Sequence, residues 1–169
     1  MKVLVAVASR HGSTTEIAEA IKAELARDGH HARVVPCEEI GAVDEYDAVV
    51  LGSAIYMGQW MKSAKEFAAR EGARLTSVPV WLFSSGPVVD STRPEDPADR
   101  RQGDKLAETL GARDHMVFHG KVDKGNLSIA ERAIIRMVKA PNSDQRDWDG
   151  IRSWGGRIAA ELDSMVADY

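Results

Sequence analysis

Short apolar runs of strand length alternate along this chain with stretches of helical period, the pattern of a parallel sheet covered by helices on both faces. The run Val3-Leu4-Val5-Ala6-Val7-Ala8 is apolar on both sides of its pleat, so it reads as a strand buried on both faces. Behind it Ile17, Ile21 and Leu25 recur every fourth residue, and Asp28-Gly29 supplies the helix stop. Residues 31–36 alternate weakly, as an edge strand does, whereas residues 48–51 are apolar throughout, as a central strand is. Residues 63–74 have helical period and direct Phe67 and Leu75 inward, and residues 78–84 and 116–119 supply the fourth and fifth strands. Residues 91–100 are rich in proline, aspartate and arginine and read as a loop. Residues 104–110 read as a helix closed by Gly111. The last helix, residues 148–166, carries Ile151, Trp154, Ile158 and Leu162 at helical spacing.

Five strands in this order suit a doubly wound α/β sheet, five-stranded and parallel, ordered 2-1-3-4-5. The chain has no internal repeat, low-complexity tract or linker, so residues 1–169 are expected to form a single domain. In such sheets ligands bind beyond the carboxyl ends of the strands, where the winding reverses, which selects the loops after strands one, three and four.

Composition narrows the function by exclusion. A formal net charge of −4 gives no overall basic field for nucleic acid. Cys37 is the only cysteine, which excludes an internal disulfide, a CxxC redox pair and a cysteine-ligated cluster. That usage fits a reducing, cytoplasmic compartment, and Cys37 itself reads as a small buried residue. The N-terminal apolar run is too short for a signal sequence with a cleavage site, and no window approaches a transmembrane length. The expectation is therefore a soluble chain, or one attached peripherally to a membrane. Only His115 and His119 have a suggestive spacing, flanking a strand, and a metal needs at least three ligands, so none is expected. No G-x-S-x-G elbow appears, and no residue can be assigned a catalytic role.

The loop after strand one reads Ser9-Arg10-His11-Gly12-Ser13-Thr14-Thr15-Glu16. It joins a buried strand to a helix start, where amides converge at a positive helix end. Gly12 permits close backbone approach, the hydroxyls of Ser9, Ser13 and Thr14 can donate to phosphate oxygens, and Arg10 or His11 can add charge. A second reading needs no ligand: Ser13 and Glu16 have the spacing of a capping box. Neither G-x-G-x-x-G nor G-x-x-x-x-G-K-[ST] is present, so a monophosphate fits the loop better than a dinucleotide or a triphosphate.

Ser9-x-x-Gly12-x-Thr14 resembles the phosphate loop of flavodoxins, and the longer run from Ala8 to Ala18 is similar to the menaquinone-dependent protoporphyrinogen oxidase branch of that superfamily. In that branch Arg follows the Ser/Thr, and Glu-Ile-Ala follows the loop. The resemblance extends through the other two loops and implies a flavodoxin-like fold, a non-covalent FMN and an oxidoreductase. It implies that the loop Gly52-Ser53-Ala54-Ile55-Tyr56-Met57-Gly58-Gln59-Trp60 wraps the flavin ring. Tyr56 and Trp60 are then stacking candidates, or else two rings covering hydrophobic surface. It also implies that Ser84-Ser85-Gly86 closes the other side and offers backbone amides to the ring's polar edge. On the residues alone that run is equally a plain turn.

Residues 121–139 carry five basic and two acidic side chains in an acidic chain. Ile129, Ala130, Ala133, Ile134, Met137 and Val138 form one apolar helical stripe there. The resemblance places this segment as an insertion after strand five. A basic amphipathic helix suits a membrane surface or a hydrophobic substrate cleft. An alanine-rich stripe without Trp, Phe or Tyr suits packing on its own domain better, and that poverty of aromatics departs from the oxidase branch. Three functions follow. One is an FMN enzyme passing electrons from a tetrapyrrole precursor to a quinone, a second is an electron carrier between redox proteins, and a third is a ligand-binding module without a competent flavin site.

Overall fold

Strand β1 (Lys2–Ala8) occupies an inner position of the sheet, and each residue from Val3 to Ala8 is buried. The computed structural model describes residues 1–86, 97–121, 128–130, 132–133 and 144–167. The elements that follow are α1 (Ser13–Arg27), β2 (His31–Pro36), a 3-10 turn (Cys37–Glu39), β3 (Ala48–Tyr56), β4 (Gln59–Trp60), α2 (Lys62–Arg70), α3 (Gly72–Leu75), β5 (Val80–Ser85), α4 (Pro97–Leu110), β6 (Asp114–Phe118) and α5 (Trp148–Ala167). The parallel strands are ordered β2-β1-β3-β5-β6, with β4 off this path and antiparallel to β3. Leaving out that two-residue strand, the order is the expected 2-1-3-4-5.

The two-residue period of β1 divides the core. Val3, Val5 and Val7 face Ile17, Ile21 and Leu25 of α1 and Ile151, Trp154 and Ile158 of α5. Leu4, Ala6 and Ala8 face Phe67, Leu75, Leu82 and Leu110 on the other side. Each fully buried aliphatic or aromatic side chain stabilises the fold by about 1.5–3 kcal/mol, so both helical layers are held by the sheet they cover. The sheet's middle is tight: a Cβ on Gly52 in β3 would collide with the Phe83 ring of β5.

Several boundaries differ from those read in the sequence. The helix expected over residues 63–74 divides at Glu71, whose backbone leaves α geometry (φ −96°, ψ 7°) just before Gly72. Helix α4 begins at Pro97, inside the stretch expected to be loop, because proline is well suited to the first helical position. It also continues through Gly103, where a Cβ would strike the His115 imidazole, so that glycine serves packing. Strand β3 runs to Tyr56, five residues beyond its apolar run.

Beyond β6 the chain makes an isolated antiparallel bridge between Lys121 and Asp144, with the Gln145 amide donating to the Gly120 carbonyl at 3.2 Å. Of the expected stripe, Ile129 is 88% exposed and Ala130 and Ala133 are exposed, which does not agree with packing on the domain at those positions. Ile134, Met137 and Val138 lie outside the described residues. Among the described residues no helix is long and apolar enough to cross a membrane.

Candidate functional site

The loop from β1 to α1 forms an open cap. Gly12, not Ser13, is the cap residue, in the left-handed region at φ 84°, and no side chain caps the helix. Its amide donates to Ser9 Oγ at 3.1 Å, which closes the loop on itself. Ser13 is the first helical residue, and its Oγ is buried without a hydrogen-bond partner. Thr14 is buried as well, while Arg10 and His11 are exposed. The capping box expected from Ser13 and Glu16 is therefore not formed. A buried hydroxyl with no partner is costly, by about 1–3 kcal/mol. Arg74 Nε and Trp81 Nε1 share that state away from the loop, but at a helix start the hydroxyl stands where an anion can meet it.

Glu16 is turned instead toward Arg146, 130 residues away in sequence. Arg146 Nη1 donates to Glu16 Oε2 at 2.5 Å and to the Ser13 carbonyl at 3.3 Å. Its Nε and Nη2 grip both oxygens of Asp144 at 2.8 and 2.6 Å, and the guanidinium lies 4.5 Å over the Trp148 ring. The hydrogen bond from Arg146 holds the Asp144 carboxyl below the usual aspartate range, and Asp144 in turn raises Arg146. In sequence, Asp144-Gln145-Arg146-Asp147-Trp148 is simply a charged stretch, with nothing local to mark this partnership.

The second loop is a hairpin. Ile55 pairs with Trp60 and Tyr56 with Gln59, and the two residues between them, Met57 (φ 50°) and Gly58 (φ 71°), both take positive φ, as a type I′ turn requires. Met57 at the tip is 81% exposed, and Ala54, Ile55, Tyr56 and Gly58 are half-buried. Trp60 turns the other way and is 2% exposed within the core. Its backbone amide donates to Gln102 of α4, whose own amide group donates to Gln59 Oε1 at 2.9 Å. Ser53, fully buried, donates to the Ala54 carbonyl and accepts the Met61 amide, both at 2.9 Å.

Behind the hairpin runs a chain of hydrogen bonds that the sequence did not reveal. Trp60 Nε1 donates to Ser84 Oγ at 2.8 Å, Ser84 Oγ meets His115 Nε2 at 2.8 Å, and His115 Nδ1 meets Asp104 Oδ1 at 2.7 Å. A carboxylate only accepts, so Nδ1–H donates to it, and a neutral ring then accepts the Ser84 hydroxyl through Nε2. The connectivity is that of a serine–histidine–aspartate triad. Ser84, however, has 0% exposure and its Oγ is already engaged by an indole, so it supports the hairpin and is no nucleophile. Asp114, adjacent to His115 in sequence, takes the Trp154 indole N–H at 2.8 Å instead, and α4 supplies Asp104 to the imidazole in space.

Three loops meet at the carboxyl edge of the sheet. The Arg10 guanidinium lies 5.3 Å over the Tyr56 ring, joining the first loop to the hairpin. Gly86, at φ 111°, sits where a Cβ would come 3.5 Å from the Ile55 carbonyl, joining the hairpin to the end of β5. The Gly86 amide donates to the Phe118 carbonyl at 2.9 Å, which removes it from the amides expected to meet a ring edge. Ser84 and Ser85 are buried within β5. The exposed or half-buried positions are thus Ser9 to Ser13 of the first loop and the hairpin from Ala54 to Gly58, while Thr14 and Gly86 are buried behind them.

A doubly wound sheet of this order, with a glycine-capped hydroxyl loop after its first strand, defines a flavodoxin-type domain. The chain belongs to the flavodoxin domain family, whose model matches residues 4–149. Among relatives it is 34% identical over 86 residues to protoporphyrinogen IX dehydrogenase [quinone] of Escherichia coli strain K12, covering 50% of this chain and 48% of that protein. The chain thus spans about half the length of the curated relatives it matches. Among solved structures it is similar to a flavodoxin from the domain Archaea, with a TM-score of 0.64 at 17% identity over 96% of this chain and 99% of that one. It is similar also to rubredoxin oxygen:oxidoreductase of Desulfovibrio gigas, with a TM-score of 0.65 at 12% identity, over 98% of this chain and 37% of that one. The cofactor that goes with the family is FMN, and the donor set here fits it: neutral hydroxyls, a buried Oγ lacking an acceptor and a glycine cap suit a phosphate monoester.

Proposed function

We propose that the protein is an FMN-dependent oxidoreductase of the protoporphyrinogen oxidase kind, taking electrons from a reduced tetrapyrrole precursor and passing them to a quinone. The observation that carries the flavin part is the buried, unpartnered Ser13 hydroxyl in a loop whose helix has no side-chain cap. The similarity to a quinone-linked dehydrogenase supports the reaction. FMN, when bound, supplies one- and two-electron transfer. The chain's own groups then have separate tasks. Ser9, Arg10, His11, Gly12, Ser13 and Thr14 form the phosphate end, with neutral donors close in and the two basic side chains at its rim. Ala54, Ile55, Tyr56, Met57 and Gly58 border the ring, and because one face of Tyr56 carries Arg10, stacking uses the other. Ser53, Trp60 and Ser84 fix the hairpin from behind, and Ser85 and Gly86 set the far wall. The basic residues of 121–139 favour a propionate-bearing substrate over a cationic one.

A second reading, an electron carrier between redox proteins, is supported by likeness to the archaeal flavodoxin over nearly the whole of both chains, and by the net negative charge. Purified protein titrated with FMN, FAD and riboflavin, then assayed anaerobically with a porphyrinogen and a menaquinone, separates the two. The enzyme reading expects FMN to bind more tightly than FAD, and quinone reduction at the porphyrinogen's expense. Ready exchange with a flavodoxin reductase and no reduction of quinone would establish the carrier instead.

A further inference from the structure

Ser13-Thr14-Thr15-Glu16 has the sequence of a capping box, yet Gly12 is the cap and its carbonyl takes the Glu16 amide at 3.0 Å, so the serine half is not made; what holds the Glu16 side chain away lies far along the chain. In a capping box the glutamate turns back onto the backbone amide of the cap residue, satisfying donors at the helix start. Those are the donors a phosphate needs at a helix N-terminus. A free glutamate here would compete with phosphate twice, once for the amides and once through its like charge. Arg146 prevents the first and, because it shares its charge with Asp144, offsets the second in part. Its Nη1 holds Glu16 Oε2 and reaches the Ser13 carbonyl. It is itself immobilised, with a side chain 3% exposed, both Asp144 oxygens gripped, and Trp148 beneath the guanidinium. Beside it the Ser13 Oγ is buried and without a partner.

We propose that Arg146 is a positioning residue for the phosphate of FMN: it restrains Glu16 and offsets part of its charge, and thereby keeps the first-turn donors of α1 uncapped. This rests on the FMN reading above. The role is indirect, since Arg146 acts through Glu16, and that makes it separable from a merely structural one.

The test compares wild type, R146Q, E16A and the double variant, each titrated with FMN and with riboflavin, which lacks the phosphate. R146Q should weaken FMN roughly tenfold, equivalent to one hydrogen bond to a charged group, while changing riboflavin less than twofold. Adding E16A to R146Q should restore most of the FMN affinity, because the competitor is gone. E16A alone should bind FMN at least as tightly as the wild type, a measurement that stands even where R146Q folds poorly. In the apoprotein, amide hydrogen exchange at Ser13 should slow in R146Q as the box closes. Equal loss of FMN and riboflavin in R146Q, no rescue in the double variant, or a tenfold loss in E16A alone would each overturn the proposal. Equal affinity of the wild type for FMN and riboflavin would instead defeat the FMN reading beneath it, and the apoprotein exchange would still report whether Arg146 holds the box open.

Discussion

The two ends of the site treat their polar groups in opposite ways. At the start of α1, a buried Ser13 hydroxyl has no partner and the helix cap is bare. Behind the hairpin, every polar group in the chain from Trp60 through Ser84 and His115 to Asp104 is paired, and Gln102 takes the Trp60 amide as well. The first arrangement costs stability until a ligand arrives, and the second supplies it without one. At this helix start an unmet donor therefore suits a ligand, whereas the saturated network belongs to the scaffold that presents it. Trp60 and Tyr56 illustrate this at four residues' distance. Similar as flavin candidates in sequence, they lie on opposite sides of the division.

The contrast breaks most easily at Trp60. Trp60→Ala is expected to lower the unfolding free energy by about 3–5 kcal/mol, the usual range for deleting a buried aromatic. Trp60→Phe, which removes only the N–H, should cost about 1–3 kcal/mol and leave the bound-flavin spectrum unchanged. Urea titration with parallel absorption spectra checks both. A spectral change as large as that of Tyr56→Ala would return Trp60 to the flavin.

Ser13→Ala sharpens the other side. With an unmet hydroxyl removed and no partner lost, the apoprotein should be at least as stable as wild type, gaining up to about 1–3 kcal/mol. FMN affinity should nevertheless fall roughly tenfold, with riboflavin little affected. Thr14→Val is expected to follow the same pattern in binding. A variant that destabilises the apoprotein while sparing FMN would reverse the argument.

A smaller effect separates the regions by pH. Burial raises the Asp104 carboxyl, but the hydrogen bond from His115 and the neighbouring Arg100 outweigh it, leaving its pKa below the ordinary 3.8. A carboxylate depressed on folding contributes stability that is complete above 3.8 and is lost as pH falls through the lower folded value. Asp104→Asn should therefore be less stable than wild type at neutral pH and lose less on acidification below that point. Because Asp104 is about half exposed, solvent screens the difference. Urea midpoints measured from pH 6 down to pH 2 test it, and parallel curves for the two proteins would remove the His115 bond from the account.

The smallest effect serves as a control on all of these. Burial pushes the Cys37 thiol up to about 12, so native protein should resist iodoacetamide at neutral pH. Alkylation in any variant, followed by mass spectrometry, then reports unfolding and not a local change.

Strand order and the three loops were legible in the sequence because burial on both faces of a parallel strand leaves uninterrupted apolar runs, and connectivity fixes where their carboxyl ends gather. The hairpin was less so: Met57-Gly58 lacks the Asn or Asp that usually advertises a type I′ turn, and β3 beyond Leu51 alternates too little to reveal a strand. Pairings between distant residues left no trace. Asp104 and His115 stand on a helix and a strand with nothing local to join them. Glu16 looked like a cap because its real partner, Arg146, is contributed by a segment that the sequence marks only as charged.

The bridge from Lys121 to Asp144 has a consequence for how such a protein changes over generations. Departure and return of the chain are fastened at one point beside β6, and Arg146, two residues later, is anchored to α1. Loop closure grows by only about 0.6 kcal/mol for each doubling of length, so what is threaded between these two posts can be exchanged or lengthened without disturbing the strands. The position is a port, at which an old sheet can accept new peptide and with it a new clientele.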